Sequence, residues 1–324
     1  MMLDQNKKII IFGGSGFVGN HLVSYLNSIG CEPIVCDLYN RMFIDGLKLN
    51  FQTIDVRRSI KMSIVPNEKS IIYNLAAIHK TPGHKPEEYY DTNINGAYNV
   101  CNYAREHSIK NIIFFSSISV YGTNELCLNE ESNLMPDSDY GHSKLKSEEI
   151  HLEWMNESQD HQLIILRPGV VYGFNEGGNF TRLYKALNKG VFYYPGRKDT
   201  LKACIYVKDL VRISYDLLND NKSEIYNMCY KNPLTIEKIC ISLCDLLDIK
   251  KPTLVIPSKI LIFLSNILSL LRINFIGVNA DRVRKVMFST NISGKKIYES
   301  GKVLTDFNST ISDWYSDCKN KGLF

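Results

Sequence analysis

The stretch IIIFGGSGFVGNHLV, residues 9–23, is an apolar run that breaks into glycines and resumes as a helical pattern. Glycines stand at 13, 14, 16 and 19, where the predicted strand gives way to the predicted helix. Such a turn gathers backbone N–H groups and the positive helix end at one point, which stabilises a bound pyrophosphate. A Cβ atom there would hold the phosphate away from the backbone. Both Gly14-x-Gly16-x-x-Gly19 and its variant Gly13-x-x-Gly16-x-x-Gly19 predict a dinucleotide-binding turn.

An acidic residue then follows at the end of the second predicted strand. Asp37 lies 18 residues after Gly19, at the distance where a carboxylate accepts hydrogen bonds from an adenosine ribose. Because a carboxylate repels a 2′-phosphate, Asp37 favours NAD over NADP. Arg41, four residues further on, partly offsets that repulsion.

Six apolar runs of strand length predict the fold class. They are KIIIF (8–12), PIVCD (33–37), FQTID (51–55), SIIYNLA (70–76), NIIFFSS (111–117) and QLIILR (162–167). Runs without in/out alternation are typical of strands buried on both faces of a parallel sheet. Helical patterns over Glu87–His107 and Tyr140–Asn156 lie between them. The order predicts an α/β protein with a Rossmann-type doubly wound parallel sheet.

The regular alternation of strand and helix patterns ends near Arg167-Pro168, where the glycine-rich loop RPGVVYGFNEGGNF begins. We therefore expect an NAD-binding domain over residues 1–167, with return segments near 201–230. A smaller C-terminal α/β domain over 168–324 is predicted to bind substrate, with the cleft between the two as the ligand site.

Composition excludes several classes of function. The 324 residues carry a net charge of +4 without a block of like charges, which argues against nucleic-acid binding. Nine cysteines are scattered without a Cys-x-x-Cys pair, so neither a disulfide framework nor a metal site is predicted. The start of the chain leaves no room for a signal peptide before the first strand, and we expect a cytoplasmic protein.

One apolar segment, SKILIFLSNILSLLRI (258–273), leaves two interpretations open. Its apolar run over 260–271 is too short to span a bilayer as a helix. It predicts either an amphipathic helix that packs on its own domain, or an interfacial helix that touches a membrane or a lipid-linked substrate.

The chemistry is predicted by a tyrosine, a lysine and a serine. Tyr140 and Lys144, in DYGHSKLKSEEI (139–150), are four residues apart and lie on one face of a helix. Ser117 ends the predicted strand NIIFFSS. A tyrosine with a pKa of about 10 is a poor base at neutral pH, but a nearby ammonium lowers that pKa. Tyr140 could then take a proton from a substrate hydroxyl, with Ser117 hydrogen-bonded to the same oxygen.

With these pieces in this order, the chain resembles an extended short-chain dehydrogenase/reductase of the nucleotide-sugar epimerase/dehydratase family. The matching segments are GGSGFVG (13–19), DV (55–56), NLAA (74–77), NINGAYN (93–99), SSISVYG (116–122), YGHSK (140–144), RPGVVYG (167–173) and YVKDLV (206–211). They cover nearly the whole chain in the order of the family.

The resemblance implies a set of cofactor-binding residues. In it Asp55 approaches the adenine, while Ala76, Ala77 and Asn93 line the cofactor; the alternative for Asn93 is a helix cap. The full set is Gly13, Gly16, Phe17, Val18, Gly19, Asp37, Asp55, Val56, Leu75, Ala76, Ala77, Asn93, Ser116, Tyr140, Lys144 and Pro168.

The resemblance also narrows the reaction. Dehydratases of the family carry an Asp-Glu pair after the catalytic hydroxyl residue, whereas this chain has Ile118 and Ser119 there. We therefore expect an NAD-dependent 4-epimerase that works through a 4-keto intermediate. Its expected substrate is a hexose or N-acetylhexosamine linked to UDP or to polyprenol diphosphate. The alternatives are an NAD(P)H-dependent 4-ketoreductase of a nucleotide-linked 4-keto-6-deoxy sugar, and a regulatory protein that has lost catalysis.

The resemblance also implies substrate contacts, a biosynthetic role and an oligomeric state. Ser117, Asn179, Lys202 and Arg282 are the expected substrate-binding residues. The C-terminal third is similar to enzymes that supply bacterial surface polysaccharides such as O-antigen. A homodimer is expected, through a bundle that includes the helix carrying Tyr140.

Overall fold

The computed structural model describes residues 8–79, 83–261 and 287–324, and these form two compact units. Unit 1 contains the residues up to Gly122, together with Glu130–Pro168 and Val207–Met228. Unit 2 contains Thr123–Asn129, Gly169–Tyr206 and the chain from Cys229 onward. Each unit is therefore assembled from three separate stretches of sequence.

A parallel sheet of seven strands forms the centre of unit 1, in the order β12-β7-β5-β4-β1-β2-β3. Its strands are β1 (Ile9–Phe12), β2 (Ile34–Asp37), β3 (Asn50–Thr53), β4 (Ile71–Asn74), β5 (Asn111–Phe115), β7 (Gln162–Pro168) and β12 (Glu224–Met228). Every neighbouring pair is parallel. The predicted Rossmann-type fold is confirmed, and the strand order reverses between β1 and β4, where such sheets bind ligands.

All six predicted strands lie in this sheet. Five are largely buried, as their apolar sequences predict. The sixth, β3, lies at the edge and is partly exposed. The seventh, β12, was not predicted as a strand. Its sequence, EIYNM, is partly polar, and it pairs only with β7 at the edge of the sheet.

Helices cover the sheet of unit 1. They are α1 (Phe17–Ser28), α2 (Pro86–Tyr89), a π-helix (Tyr90–Asn95), α3 (Gly96–Glu106), a 3-10 turn (Ile118–Tyr121), α4 (Asp139–Asn156), α6 (Val207–Asp216) and a 3-10 turn (Leu217–Asp220). The helix predicted over Glu87–His107 thus contains a π-helical turn. Such turns are rare and often lie at functional sites.

The core of unit 1 lies between the sheet and helices α3 and α4. It is formed by apolar side chains of the central strands and of both helices, among them Ile10, Phe12, Ile72, Val100, Ile112, Phe114, Trp154 and Ile165. Helix α4, which carries the predicted residues Tyr140 and Lys144, is therefore anchored to the sheet.

The described part of unit 2 has three small sheets. Their strands are β6 (Asn124–Leu128), β8 (Val170–Tyr172), β9 (Tyr194–Pro195), β10 (Leu201–Lys202), β11 (Cys204–Tyr206), β13 (Leu234–Thr235), β14 (Val255–Ile256) and β15 (Thr290–Ile292). β13, β10, β15 and β6 form one sheet, while β11 pairs with β8 and β14 with β9. Its helices are α5 (Asn179–Asn188), α7 (Ile236–Leu247), α8 (Lys295–Glu299) and α9 (Phe307–Asn320).

An aromatic core holds unit 2 together. The hydroxyl of Tyr172 lies 2.9 Å from that of Tyr230 and 2.6 Å from Oγ1 of Thr310, and all three residues are buried. Trp314 packs edge-on against Tyr172. Within the described residues, no helix combines the length and apolarity needed to cross a bilayer. Most of the apolar run over 260–271 lies outside the described residues, so its two interpretations stay open.

Candidate active site

Two positions at the turn after β1 have room for glycine only. Gly13 has a φ of +77°, and a Cβ added there would lie 2.6 Å from the backbone nitrogen of Ala76. A Cβ on Gly19 would collide with the carbonyl of Gly14. The two glycines therefore let the turn approach the end of β4 and let α1 pack on the turn, which explains their spacing.

Helix α1 begins in this turn with its backbone donors available. Gly16 is its N-cap and supplies no side-chain hydrogen bond, and the first turn of the helix contains no acidic residue. Among the described residues, no capping side chain is thus bonded to the N–H groups of Phe17, Val18 and Gly19. A pyrophosphate fits this helix start, since it would satisfy the donors and the helix dipole together.

Asp37 shapes the same loop from the end of β2. Its Oδ2 accepts a hydrogen bond from the Ser15 backbone at 3.0 Å, and its Oδ1 accepts one from Leu38 at 2.7 Å. The residue remains half-buried, so its carboxylate has lone pairs left for ribose hydroxyls. The loop therefore fits a dinucleotide without a 2′-phosphate.

The Asp55-Val56 pair also has structural partners. The Asp55 carboxylate pairs with Arg57 through two hydrogen bonds of 2.9 and 2.8 Å, and this guanidinium lowers the pKa of Asp55. Val56 is buried against Gly96, and its carbonyl accepts a hydrogen bond from Asn99 at 2.8 Å. The pair thus fastens α3 to the loop after β3.

Asn93 joins three elements instead of capping one. It lies inside the π-helix, and its Oδ1 accepts from the Ile78 backbone at 2.8 Å while its Nδ2 donates to Ser143 at 2.8 Å. Its carbonyl accepts from the Ser147 hydroxyl at 2.9 Å. The helix-cap interpretation is wrong, because the N-cap of α3 is Asn95. Asn93 braces the loop after β4 against the helix that carries Tyr140.

The structure brings Ser117 and Tyr140 together. Ser117 is the N-cap of the 3-10 turn after β5, and its hydroxyl lies 3.1 Å from both the nitrogen and the hydroxyl of Ser119. Tyr140 lies in the first turn of α4, which is capped by Ser138. Ser117 lies close enough to the Tyr140 hydroxyl to lower the pKa of that hydroxyl. The structure therefore places these two residues next to each other.

Lys144 lies one helical turn further on and is only 3% exposed. Its Nζ donates to the carbonyl of Phe115 at 2.7 Å and lies 4.9 Å from the centre of the Phe114 ring. Burial lowers the pKa of Lys144 to about 7, although the charge of Glu148 acts in the opposite direction. Lys144 therefore changes its charge near neutral pH.

Burial shifts Tyr140 the other way. It raises the pKa of Tyr140 to about 12, and Tyr89 adds to the rise, whereas the nearby Ser117 acts in the opposite direction. Tyr140 itself is half-buried. The sequence predicts a lowered pKa, and that direction is wrong for the chain by itself. The reason is that Lys144 is desolvated as well and directs its ammonium to a backbone carbonyl.

A buried ion pair beside these residues was not anticipated. Glu148 of α4 and Arg167 of β7 are 1% and 2% exposed, and they form two hydrogen bonds of 2.9 and 2.6 Å. Glu148 lies four residues after Lys144, so the helical spacing alone could have placed it on the same face.

The expected substrate residues of unit 2 have internal partners. Oδ1 of Asn179 accepts from Arg182 at 2.9 Å, and the Glu176 carboxylate accepts from the backbone of Gly178 and Thr181 at the start of α5. Lys202 donates to the carbonyl of Phe288 at 2.7 Å, and burial lowers the pKa of Lys202 to about 8. Glu176, which sequence reasoning missed, thus occupies the helix end beside Asn179. Arg282 lies outside the described residues.

The fold and the site define a nicotinamide-dependent enzyme with a Rossmann domain and a Ser-Tyr-Lys centre. The sequence profile of the NAD dependent epimerase/dehydratase family matches residues 9–229, and the chain belongs to this family. The predicted membership is confirmed, and with it an NAD-dependent sugar-nucleotide epimerase of the extended short-chain type.

Relatives and solved structures agree with this assignment. The chain is 30% identical over 310 residues to the N-acetyl-α-D-glucosaminyl-diphospho-ditrans,octacis-undecaprenol 4-epimerase of Escherichia coli O157:H7, covering 92% of this chain and 91% of the relative. It is 29% identical over 192 residues to UDP-glucose 4-epimerase of Vibrio cholerae, covering 57% and 58%. The fold resembles that of the Bordetella bronchiseptica enzyme WbmG in complex with NAD and UDP, with a TM-score of 0.73 at 20% identity over 98% and 96% of the two chains.

Proposed function

We propose that the chain is a 4-epimerase that interconverts the gluco and galacto configurations of an N-acetylhexosamine carried on polyprenol diphosphate. The observation that carries this proposal is the proximity of Ser117 to Tyr140, with Lys144 one turn away on the same helix. Two hydroxyls that converge on one point can hold a single sugar oxygen through both its alcohol and its ketone forms.

In the proposed mechanism Tyr140 removes the proton of the sugar 4-hydroxyl and later returns it to the same oxygen. Ser117 donates a hydrogen bond to that oxygen, which stabilises the developing carbonyl. Lys144, as an ammonium, stabilises the phenolate of Tyr140. After the 4-keto sugar turns over in the site, the hydride removed earlier would return to the opposite face of C4 while Tyr140 returns the proton to the oxygen.

When bound, NAD would supply the hydride acceptor for C4, and the positive charge of its oxidised ring would favour the phenolate. The residues that would hold it are the glycine turn, the start of α1 and Asp37 at the end of β2. Their open backbone donors and partly exposed carboxylate match a pyrophosphate and a ribose.

Two residues favour epimerisation over dehydration. Ile118 is buried and apolar, and the hydroxyl of Ser119 is hydrogen-bonded to Ser117. Neither supplies the acid and base that elimination of water requires. Redox chemistry at one carbon is therefore the reaction that this site supports.

The lipid carrier is proposed from the similarity along the whole chain. The relative that acts on an undecaprenol-diphosphate sugar matches over 92% of this chain, whereas the Vibrio cholerae UDP-glucose 4-epimerase matches over 57%. Polyprenol-linked sugars are precursors of surface polysaccharides, so a role in that synthesis, including O-antigen, follows from the proposal.

The test compares carriers with no reductant added. Purified enzyme with its NAD is incubated with polyprenol-diphosphate-linked GlcNAc in detergent, with UDP-GlcNAc and with UDP-glucose. The released sugars are then separated as gluco and galacto forms. We expect the lipid-linked sugar to reach equilibrium at a kcat/KM at least about tenfold above that of either UDP-sugar, with no deuterium incorporated at C4 from D₂O.

Other outcomes reject parts of the proposal. Turnover of UDP-sugars alone would reject the lipid carrier. A requirement for stoichiometric NADH or NADPH would show a one-way 4-ketoreductase instead.

We also propose that the enzyme is a homodimer that contacts the membrane from the cytoplasmic side. Tyr98 of α3 is 56% exposed, as an aromatic residue at a helix-mediated interface would be in an isolated chain. Light scattering should give twice the chain mass, and Tyr98→Glu should reduce it to that of the single chain. Co-sedimentation with anionic vesicles tests the contact near 260–271, and we expect Ile260→Ser, at an exposed position, to weaken it.

A further inference from the structure

The catalytic serine lies between two residues that are tied to one buried ion pair. Oε1 of Glu148 accepts a hydrogen bond from the hydroxyl of Ser116, the residue directly before Ser117. The Ser116 backbone donates to the carbonyl of Leu166 at 2.7 Å, which keeps this part of the chain aligned with β7. Both the side chain and the backbone of Ser116 are therefore fixed.

The other side of Ser117 is held by Arg167. Its Nη1 donates to the hydroxyl of Tyr121 at 2.8 Å, and that hydroxyl donates to Oδ1 of Asn227 at 2.8 Å. Tyr121 ends the 3-10 turn for which Ser117 is the N-cap. The Glu148–Arg167 pair thus holds the chain by hydrogen bonds on both sides of the catalytic serine: at Ser116, one residue before it, and at Tyr121, four residues after it.

Burying an ion pair in this space has a large desolvation cost. Glu148 and Arg167 are almost fully buried, and removing two charges from water costs several kcal/mol per ion before their attraction repays it. Apolar side chains of the same volume would often stabilise a protein equally well or better. Stability alone does not account for the pair, whereas its directed hydrogen bonds to Ser116 and Tyr121 do.

We propose that Glu148 is a positioning residue, which with Arg167 sets the place of the Ser117 hydroxyl relative to Tyr140. Glu148 and Tyr140 lie on the same helix, so the link from Glu148 to Ser116 fixes the distance between β5 and the catalytic face of α4. A displacement of about 1 Å at such a centre can cost about a hundredfold in rate. This inference rests on the proposed function, because it needs a reaction at Ser117 and Tyr140.

The test removes single links in the enzyme with its NAD. Ser116→Ala deletes one hydroxyl and its bond to Glu148, while Ser116→Thr keeps a hydroxyl there. Glu149→Gln is the matched control, since Glu149 follows Glu148 on the same helix but pairs with Lys146 on the surface. Activity is measured with whichever carrier the wild-type enzyme turns over, together with the NAD content of each variant.

We expect Ser116→Ala to lower kcat by about 10- to 100-fold, with KM within about twofold of the wild type and NAD retained. Ser116→Thr should recover kcat to within about threefold, and Glu149→Gln should leave it unchanged. Glu148→Gln should lower kcat at least as much as Ser116→Ala does. If this single variant does not fold because Arg167 is left unpaired, the charge-neutral double variant E148Q/R167Q takes its place.

Unchanged kcat in Ser116→Ala would overturn the proposal, as would equal loss in Ser116→Ala and Ser116→Thr. A fall in kcat that is matched by loss of NAD would also reject it, since the effect would then be on cofactor binding. An inactive wild-type enzyme in the same assay would reject the proposed function instead, so the two failures are distinguishable.

Discussion

Tyr140 and Lys144 are shifted in opposite directions by the same cause. Burial disfavours the charged form of each, so the pKa of Tyr140 rises to about 12 and that of Lys144 falls to about 7. The proposed mechanism uses the doubly charged pair, phenolate with ammonium. From these values we expect that pair to be a minor protonation state, whose population sets the pH dependence of the enzyme.

The sign of that dependence follows from the two values. Below about pH 7 Lys144 stays charged while Tyr140 takes up protons, so the active pair falls about tenfold per pH unit. Between about 7 and 12 the gain of phenolate and the loss of ammonium cancel. We expect kcat/KM to rise with pH up to about 7 and then level, measured in initial-rate assays from pH 5 to 9. A rate that falls between pH 5 and 7 would contradict this assignment.

Removal of the Tyr140 hydroxyl gives a direct test of its role. We expect Tyr140→Phe to lower kcat by about 10²- to 10⁴-fold, the usual contribution of a positioned acid–base group, while NAD stays bound. Tyr90→Phe is the control, because Tyr90 is exposed and its hydroxyl donates to the carboxylate of Asp139. Both are checked by turnover and by the NAD content of the purified protein. Equal activities in the two variants would remove Tyr140 from the mechanism.

At the scale of elements, apolar runs were the part of the sequence that predicted structure well. Each central strand is buried on both faces, so its sequence carries a strong signal. The edge strand β12 carries a weaker signal, and the π-helix shares the side-chain pattern of an α-helix closely enough to be missed. The Ser-Tyr-Lys residues were predicted from order and spacing. Their pKa directions were not, because those depend on burial that only the folded chain shows.

Gly30 provides a matched control for testing the role of Gly13 in the glycine turn. Their φ angles are +77° and +82°, so an alanine strains the backbone equally at each, by about 1 kcal/mol. Only at Gly13 does the added Cβ meet the chain at Ala76; nothing lies within 4 Å at Gly30. We expect Gly13→Ala to weaken NAD binding at least about tenfold and Gly30→Ala to leave it unchanged, by calorimetric titration. Equal affinities would show that the turn does not shape the site.

For the whole molecule, the two tryptophans report on the two units separately. Trp154 lies in the core of unit 1 and Trp314 in that of unit 2, and both are fully buried. Single-tryptophan variants, Trp314→Phe and Trp154→Phe, allow unfolding in urea to be followed by fluorescence from one unit at a time.

NAD should shift the two signals unequally. At about 100 times its dissociation constant a ligand stabilises the state that binds it by about 2.7 kcal/mol. We expect NAD to raise the midpoint reported by Trp154 more than that reported by Trp314, because the glycine turn and Asp37 belong to unit 1. Equal shifts would show that the two units unfold as one.

The place of β12 in the sheet has a consequence for synthesis on the ribosome. Translation must continue from residue 168 to residue 228 after β7 is complete before its outer neighbour exists, roughly 3–12 s at ordinary elongation rates. During that interval the outer edge of β7 presents unpaired amides and carbonyls, a known template for association with other chains. A nascent chain stalled between these two points would therefore need a chaperone most.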